Sequence, residues 1–322
     1  MNARPDRWGL TIPLAGLPLR EQRDVVAALP DLGYTDVWTG EAGGSDGFTP
    51  LVLASQWAPS LRLGTAIIPA FTRGPATVAM SAATLAGLAP GRFALGIGTS
   101  SDVIVRNWNG IGFDEPYARV RDLLRFLRPA LAGAKVDHEY PSFAIRGFRL
   151  PEAPEPAPPI LLAALRPGML RLAGREADGA ILNWLTADDV RTVAPHVRGQ
   201  GRPDAELVAR IFVLPDVPAE QAREVGRRAI AAYLNVPVYR GFHEWLGRTE
   251  LGPMWTLWAG GDRRGALAAI PDAVVDSLVL HGPAESVREQ VRAYVEAGVS
   301  TPVLMPLGVG DPVATVRALA PR

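Results

Sequence analysis

Strand-length apolar runs and helical patterns alternate along this chain from one end to the other, and that alternation limits the fold more than any single motif does. The runs are WGLTI, TDVWTG, LRLGTAII, RFALGIG, PPILLAAL, GAILNW, LVARIFVL and TPVLMPLG. Helical spacing fills the gaps between them. One helix is expected from about Pro18 to Leu32, stopped by Gly33, and another opens at Thr49-Pro50 with a cap residue followed by a first-turn proline. PATVAMSAATLAGL is a third, and the next places Tyr117, Val120, Leu123, Leu124, Leu127 and Leu131 on one stripe. Further helices are expected at roughly 167–175, 186–198, 218–234 and 284–297. Eight parallel strands with intervening helices close a barrel, so the expected architecture is α/β, a (β/α)8 TIM barrel with insertions. The whole chain, 1–322, reads as one such domain, with insertions at about 133–158 and 235–272. The first insertion reads as a hairpin or wrapping loop. The second reads as irregular around Trp245, Trp255 and Trp258, with most of the aromatics near it placed in the core; DSLVLHG after it is a short extended piece.

An open doubly wound sheet would need Gly-x-Gly-x-x-Gly after its first strand, and the first turn here, IPLAGLPL, has no such pattern. Gly96-Ile97-Gly98 looks like part of that fingerprint, but it ends the fourth strand, not the first, and position 101 is serine. At a barrel mouth the same glycines let a planar ligand approach, with Thr99, Ser100 and Ser101 as hydrogen-bond donors.

Acidic and basic residues balance at 33 each, which argues against nucleic acid and anionic membranes, since both need a basic surplus. A small-molecule partner is expected. The absence of cysteine removes disulfides, thiol catalysis and cysteine-bound metals. His138, His196, His243 and His281 show no zinc spacing, so no metal site is expected. No run is long enough to span a membrane and MNARPDRWG lacks a leader's apolar stretch, so a cytoplasmic location is expected.

Three places carry candidate chemistry. Glu41 follows the second strand and stands either at the mouth or in a structural ion pair. LAALRPGML ends a strand in small side chains and starts a helix at Pro167-Gly168, where free amides and Arg166 make either a phosphate grip or an ordinary turn with a solvated arginine. The third strand, LRLGTAIIPAF, has Gly64, Thr65 and Ala66 where it ought to pack best.

The stretch LRLGTAIIPAFTRGPATVAMSAATLAGLAPGRFALGIGTSS resembles the strand-helix-strand signature of the bacterial luciferase-like monooxygenase superfamily. The similarity extends to LPLREQRDVVAALPDLGYTDVWTGE, PPILLAALRPGMLRLAGREADGAI and HGPAESVREQVRAYVEAGVSTPVLMP, and is weakest over 235–265. The resemblance implies a barrel holding either FMN or the deazaflavin coenzyme F420, and Gly-Thr-Ala-Ile is closer to the F420-dependent oxidoreductase branch. There the third strand carries a bulge with a non-proline cis peptide behind the ring, which would be Ala66–Ile67 here. The implied cofactor contacts are Glu41, Ala66, Ile67, Gly98, Thr99, Ser100, Ala163, Ala164, Arg166, Gly168 and Met169, with Glu41 and Ser101 as catalytic candidates. Sugar-phosphate-oxidising relatives carry His and Glu where this chain has Ala42 and Ser101, so their dehydrogenase chemistry is not expected. The implied reaction is hydride transfer between F420 and a small organic substrate. An FMN-dependent monooxygenase and a non-catalytic cofactor-binding barrel remain open, and the resemblance adds a homodimer to the expected partners.

Overall fold

A computed structural model describes residues 7–321, so the amino-terminal hexapeptide used above to argue against a leader lies outside the described residues. In chain order the strands are β1 Gly9–Thr11, β2 Asp36–Thr39, β3 Arg62–Thr65, β4 Ile68–Pro69, β5 Phe93–Gly98, β6 Val136–Tyr140, β7 Phe143–Phe148, β8 Ile160–Ala163, β9 Gly179–Asn183, β10 Glu206–Pro215, β11 Val279–Gly282 and β12 Thr301–Pro306. Parallel pairing runs β1–β2–β3–β5–β8–β9–β10–β12 and back to β1, so eight strands close the barrel among the described residues. The short DSLVLHG piece contributes β11, which pairs with the far end of β10 outside the ring.

The helices are α1 Arg23–Ala28, α2 Thr49–Trp57, α3 Pro75–Leu88, α4 Pro116–Leu131, α5 Pro167–Glu176, α6 Ala187–Arg198, α7 Ala219–Leu234, α8 Pro237–Trp245, α9 Gly252–Ala259, α10 Arg263–Ala268, α11 Asp272–Leu278, α12 Ala284–Glu296 and α13 Pro312–Ala318. Apolar periodicity located most of them. The first expected helix is broken instead into a 3-10 turn at Leu19–Glu21 and α1, which stops at Ala28 with Leu29 as its cap; Gly33, at φ +91°, closes the turn that follows. Thr49 is not the cap of α2. Phe48 holds that position, and Asp46 Oδ1 accepts from the amides of Phe48 at 2.8 Å and Thr49 at 3.0 Å. The expected stripe of α4 is buried except for Tyr117.

The first insertion is the antiparallel β6–β7 hairpin. The second is helical, not irregular: α8, α9 and α10 fold there and, with α7 and α11, enclose a second core around Trp184, Phe212, Trp255 and Met254. Glycine and proline at 237, 241, 247, 252, 253, 260, 261 and 265 divide it into helices of six to nine residues, too short to show a period. Trp255 is buried, and Trp245 is half-buried against the main core. Trp258 is also half-buried, with the Arg263 guanidinium 4.0 Å from its ring centre.

Register fixes which side chains point inward, because alternate residues face opposite sides of a strand. At the amino-terminal end of the barrel the interior carries Asp36, Arg62, Glu206 and Thr301. Arg62 grips Glu206 through two bonds of 2.6 and 2.8 Å and reaches Asp36 at 3.4 Å, while Thr301 donates to Glu206 at 2.8 Å. Burial alone would raise the Glu206 carboxyl, but the paired Arg62 holds it below the usual range. Above this plug lies a dry tier of Trp38, Ala94, Leu161, Ile181, Val208 and Val303. Trp38 is fully buried, and its ring occupies the space that a side chain at Gly64 would need.

Candidate active site

The third tier, at the carboxy-terminal mouth, differs from the two below. One side of it, from β2 to β8, offers Gly40, Ala66, Gly98 and Ala163, so apart from Ile67 no inward group exceeds a methyl. Neighbouring atoms already crowd it: a Cβ on Gly98 would lie 2.9 Å from the Ala163 methyl and 3.2 Å from the Ile67 side chain, and one on Gly40 would lie 2.8 Å from the Ala66 carbonyl oxygen. Four of the expected cofactor contacts, Ala66, Ile67, Gly98 and Ala163, therefore form one continuous wall.

Strand β3 stops at Thr65 and pairing resumes at Ile68, and the Ala66–Ile67 peptide between them is cis, as the resemblance implies. The ladder to β5 is maintained across the gap by a side chain. Thr65 Oγ1 donates to the Gly96 carbonyl at 2.9 Å and accepts from its amide at 2.8 Å. A Cβ on Gly96 would collide with the carbonyl of residue 65, so only glycine fits at 96, while the hydroxyl of Thr65 supplies the bonds to it. The small residues of LRLGTAIIPAF thus have two causes: the Trp38 ring fills the place at Gly64, and the mouth wall is left bare at Ala66.

Glu41 stands at the mouth, but its Oε1 accepts from the Gly47 amide at 3.0 Å and from Arg73 at 3.2 and 2.5 Å. It fastens the 42–47 loop, the structural role that the sequence left open. Its own amide donates to the Ile67 carbonyl at 3.3 Å, which ties the loop to the wall. Ser100 has a left-handed backbone, φ +64°, and Thr99 donates to its carbonyl at 3.2 Å. Ser101 Oγ accepts from the Ile104 amide at 3.3 Å, opening the π-helical turn Val103–Trp108. Arg166 is exposed at the start of α5, beside Gly168 and Met169, and its Nη1 lies over Gly241 of α8, 3.0 Å from where a Cβ would be. Ala164 is buried one residue beyond the wall.

The opposite side of the mouth is polar, and sequence reasoning did not single it out. Asn183 closes β9 with its Nδ2 donating to the Tyr239 hydroxyl at 2.8 Å, and its Oδ1 is buried without a partner. Burial pushes the Tyr239 phenol up to about 12, against the lowering effect of the Asn183 bond. Arg210, level with Asn183 in the β9–β10 register, reaches Met305 Sδ at 3.1 Å and lies 5.9 Å from the Phe212 ring centre. Thr11 Oγ1, on the third side, is also buried and unpaired, beside a cavity of about 30 Å³ that has room for water. The signal for this side was present as an arginine inside the apolar run LVARIFVL, where an unpaired charge is costly. Among the described residues no cluster of His, Asp and Glu could hold a metal, and no helix is long and apolar enough to cross a membrane.

The family model of the luciferase-like monooxygenases matches residues 4–301. This chain belongs to the luciferase-like monooxygenase family. A Mycobacterium tuberculosis member, provisionally named a coenzyme F420-dependent oxidoreductase, is 29% identical over 94% of this chain and 95% of its own length. Among solved structures, the family fold recurs in the coenzyme F420-dependent tetrahydromethanopterin reductase of Methanopyrus kandleri, with a TM-score of 0.80, 20% identity, and coverage of 98% of this chain and 97% of that one. It recurs also in an F420-dependent secondary alcohol dehydrogenase, solved with an F420–acetone adduct, with a TM-score of 0.77, 16% identity and the same coverage.

Proposed function

We propose that this chain is an oxidoreductase that binds coenzyme F420 at the barrel mouth and exchanges a hydride between it and a small organic substrate. The carrying observation is the wall of Gly40, Ala66, Gly98 and Ala163, where no inward side chain is larger than a methyl and added atoms at Gly40 or Gly98 would meet the opposite residues. That face fits a planar ring, and the names of the relative and of the two structural neighbours favour F420 over FMN.

In this reading Ala66 and Ile67 support the back of the ring, and Gly98, Thr99 and Ser100 border its edge. Ala163 and Ala164 continue the face toward α5, where Arg166 and the amides of Gly168 and Met169 take the phosphate. Glu41 and Arg73 hold the neighbouring loop shut, so that water is kept from the wall. When bound, the deazaflavin supplies a hydride donor or acceptor at ring carbon C5 and does not readily activate oxygen. The chain's own part is to orient the two reactants and keep the face dry. A cytoplasmic location and a homodimer belong to the same reading. For the dimer, α3 offers Met80 and Leu88, both exposed and two turns apart on one face.

Separate titrations of the purified protein with F420 and FMN, followed by fluorescence, test the proposal. Tight F420 binding with FMN silent supports it. Tight FMN binding with F420 silent replaces it with the monooxygenase reading, and binding of neither overturns both.

A further inference from the structure

Two arginines point into this barrel from opposite ends, and their surroundings differ. Arg62, in the amino-terminal plug, is bidentate to Glu206 and also reaches Asp36. Arg210 projects from the same strand as Glu206, two inward positions beyond it, and no carboxylate among the described residues pairs with it. A guanidinium carries five donors, and here it meets one thioether and the Phe212 ring, with the Tyr239 phenol close enough to feel its charge. A half-enclosed cation without an anion is unfavourable unless a ligand completes it. Beside it lies a second incomplete group, the buried Asn183 Oδ1, which can only accept. Both stand across the mouth from the bare wall.

We propose that Arg210 anchors the substrate, that the substrate carries a carboxylate, and that Asn183 Oδ1 takes an N–H or O–H of the same molecule. This rests on the F420 reading, since the wall opposite is assigned to the cofactor and leaves this side for the substrate. Tyr239 is a positioning residue: its hydroxyl accepts from Asn183 Nδ2 and so fixes which end of the amide, Oδ1, is left without a partner. Two bonds from a fork to a carboxylate favour that anion over the corresponding neutral amide.

The test uses wild type, Arg210→Met and Arg210→Lys, each saturated with F420, titrated with benzoate and crotonate and with benzamide and crotonamide. Binding is read by the change in F420 fluorescence and by thermal shift. Wild type is expected to bind at least one carboxylate about tenfold or more tighter than its amide. Arg210→Met should lose that preference and Arg210→Lys should keep part of it, with F420 affinity within about twofold of wild type in both. Because an unpaired cation is removed, Arg210→Met should melt at or above the wild-type temperature. Equal binding of acids and amides, no binding of either acid, or an unchanged preference in Arg210→Met overturns the proposal. So does a melting temperature lowered by more than about 5 °C, which marks a structural arginine. If F420 itself fails to bind, the cofactor reading falls, and the same titration followed by thermal shift on the free protein still decides the carboxylate claim.

Discussion

Replacing Gly98 with valine puts three carbon atoms where the wall now has none. The first of them would lie 2.9 Å from Ala163 Cβ and 3.2 Å from Ile67 Cγ1 and Cδ1, whereas carbon atoms pack best at about 3.5–4.0 Å. Gly98 is not among the glycines held at positive φ, so the backbone itself accepts a side chain and the effect is one of space. Crowding of this kind costs about 1–3 kcal/mol in a closed core. Gly98 is buried between Ala163 and Ile67, so a cost within that range is expected, a loss of several degrees in melting temperature. The added methyls also intrude on the volume assigned to the ring. Displacing a flat ligand from its supporting face by a methyl's thickness should weaken F420 binding by at least about 1.4 kcal/mol, a factor of ten, and Gly98→Ala should fall between the two. The assay is fluorescence titration with F420 beside far-UV circular dichroism and a thermal melt. A folded Gly98→Val protein that binds F420 as wild type does would refute the assignment of this wall to the cofactor.

Removal of Arg62 from the lower plug, as Arg62→Met, leaves Glu206 and the fully buried Asp36 undercompensated, and urea unfolding should show a loss of about 3–5 kcal/mol. Arg166→Ala should weaken F420 by about 1.5–3 kcal/mol if the guanidinium meets phosphate, and an unchanged dissociation constant would remove it from the site. The fully buried His243, whose Nδ1 lies 3.1 Å from Arg248, is held down to about 3 by burial and by that arginine. Its folded value is below its unfolded one of about 6.5, so the unfolded chain binds the proton more readily. Above about pH 6.5 this residue carries no penalty. As pH falls from there toward 3 it should remove stability by up to ~1.4 kcal/mol per pH unit, and that part of the slope should be missing in His243→Gln.

Much of the barrel was legible because strand and helix periods are local properties. PATVAMSAATLAGL coincides with α3 residue for residue, seven of the eight runs contain a strand of the ring, and LVARIFVL lies within the eighth, β10. The site was legible in part for the same reason: Gly98 and Ala163 end their strands and Glu41 stands just past the end of β2, and strand ends line the mouth of a closed barrel. The polar side was not, because it depends on register. That Arg210 is level with Asn183, and that Tyr239 returns from α8 to meet Asn183, follows from pairing between strands and from the path of an insertion. No local pattern encodes either. Thr65 was read as a small residue in a weak strand, whereas its hydroxyl replaces a missing rung to Gly96. The insertion helices were missed because glycine and proline cut them below the length at which an apolar face repeats.

A crystal structure of the protein with F420 tests the central claim most directly. The deazaflavin is expected flat against Ala66, Ile67 and Gly98, with one face turned to Arg210 and Asn183. A ring bound elsewhere, or a mouth in which neighbouring side chains have closed over that wall, would contradict it.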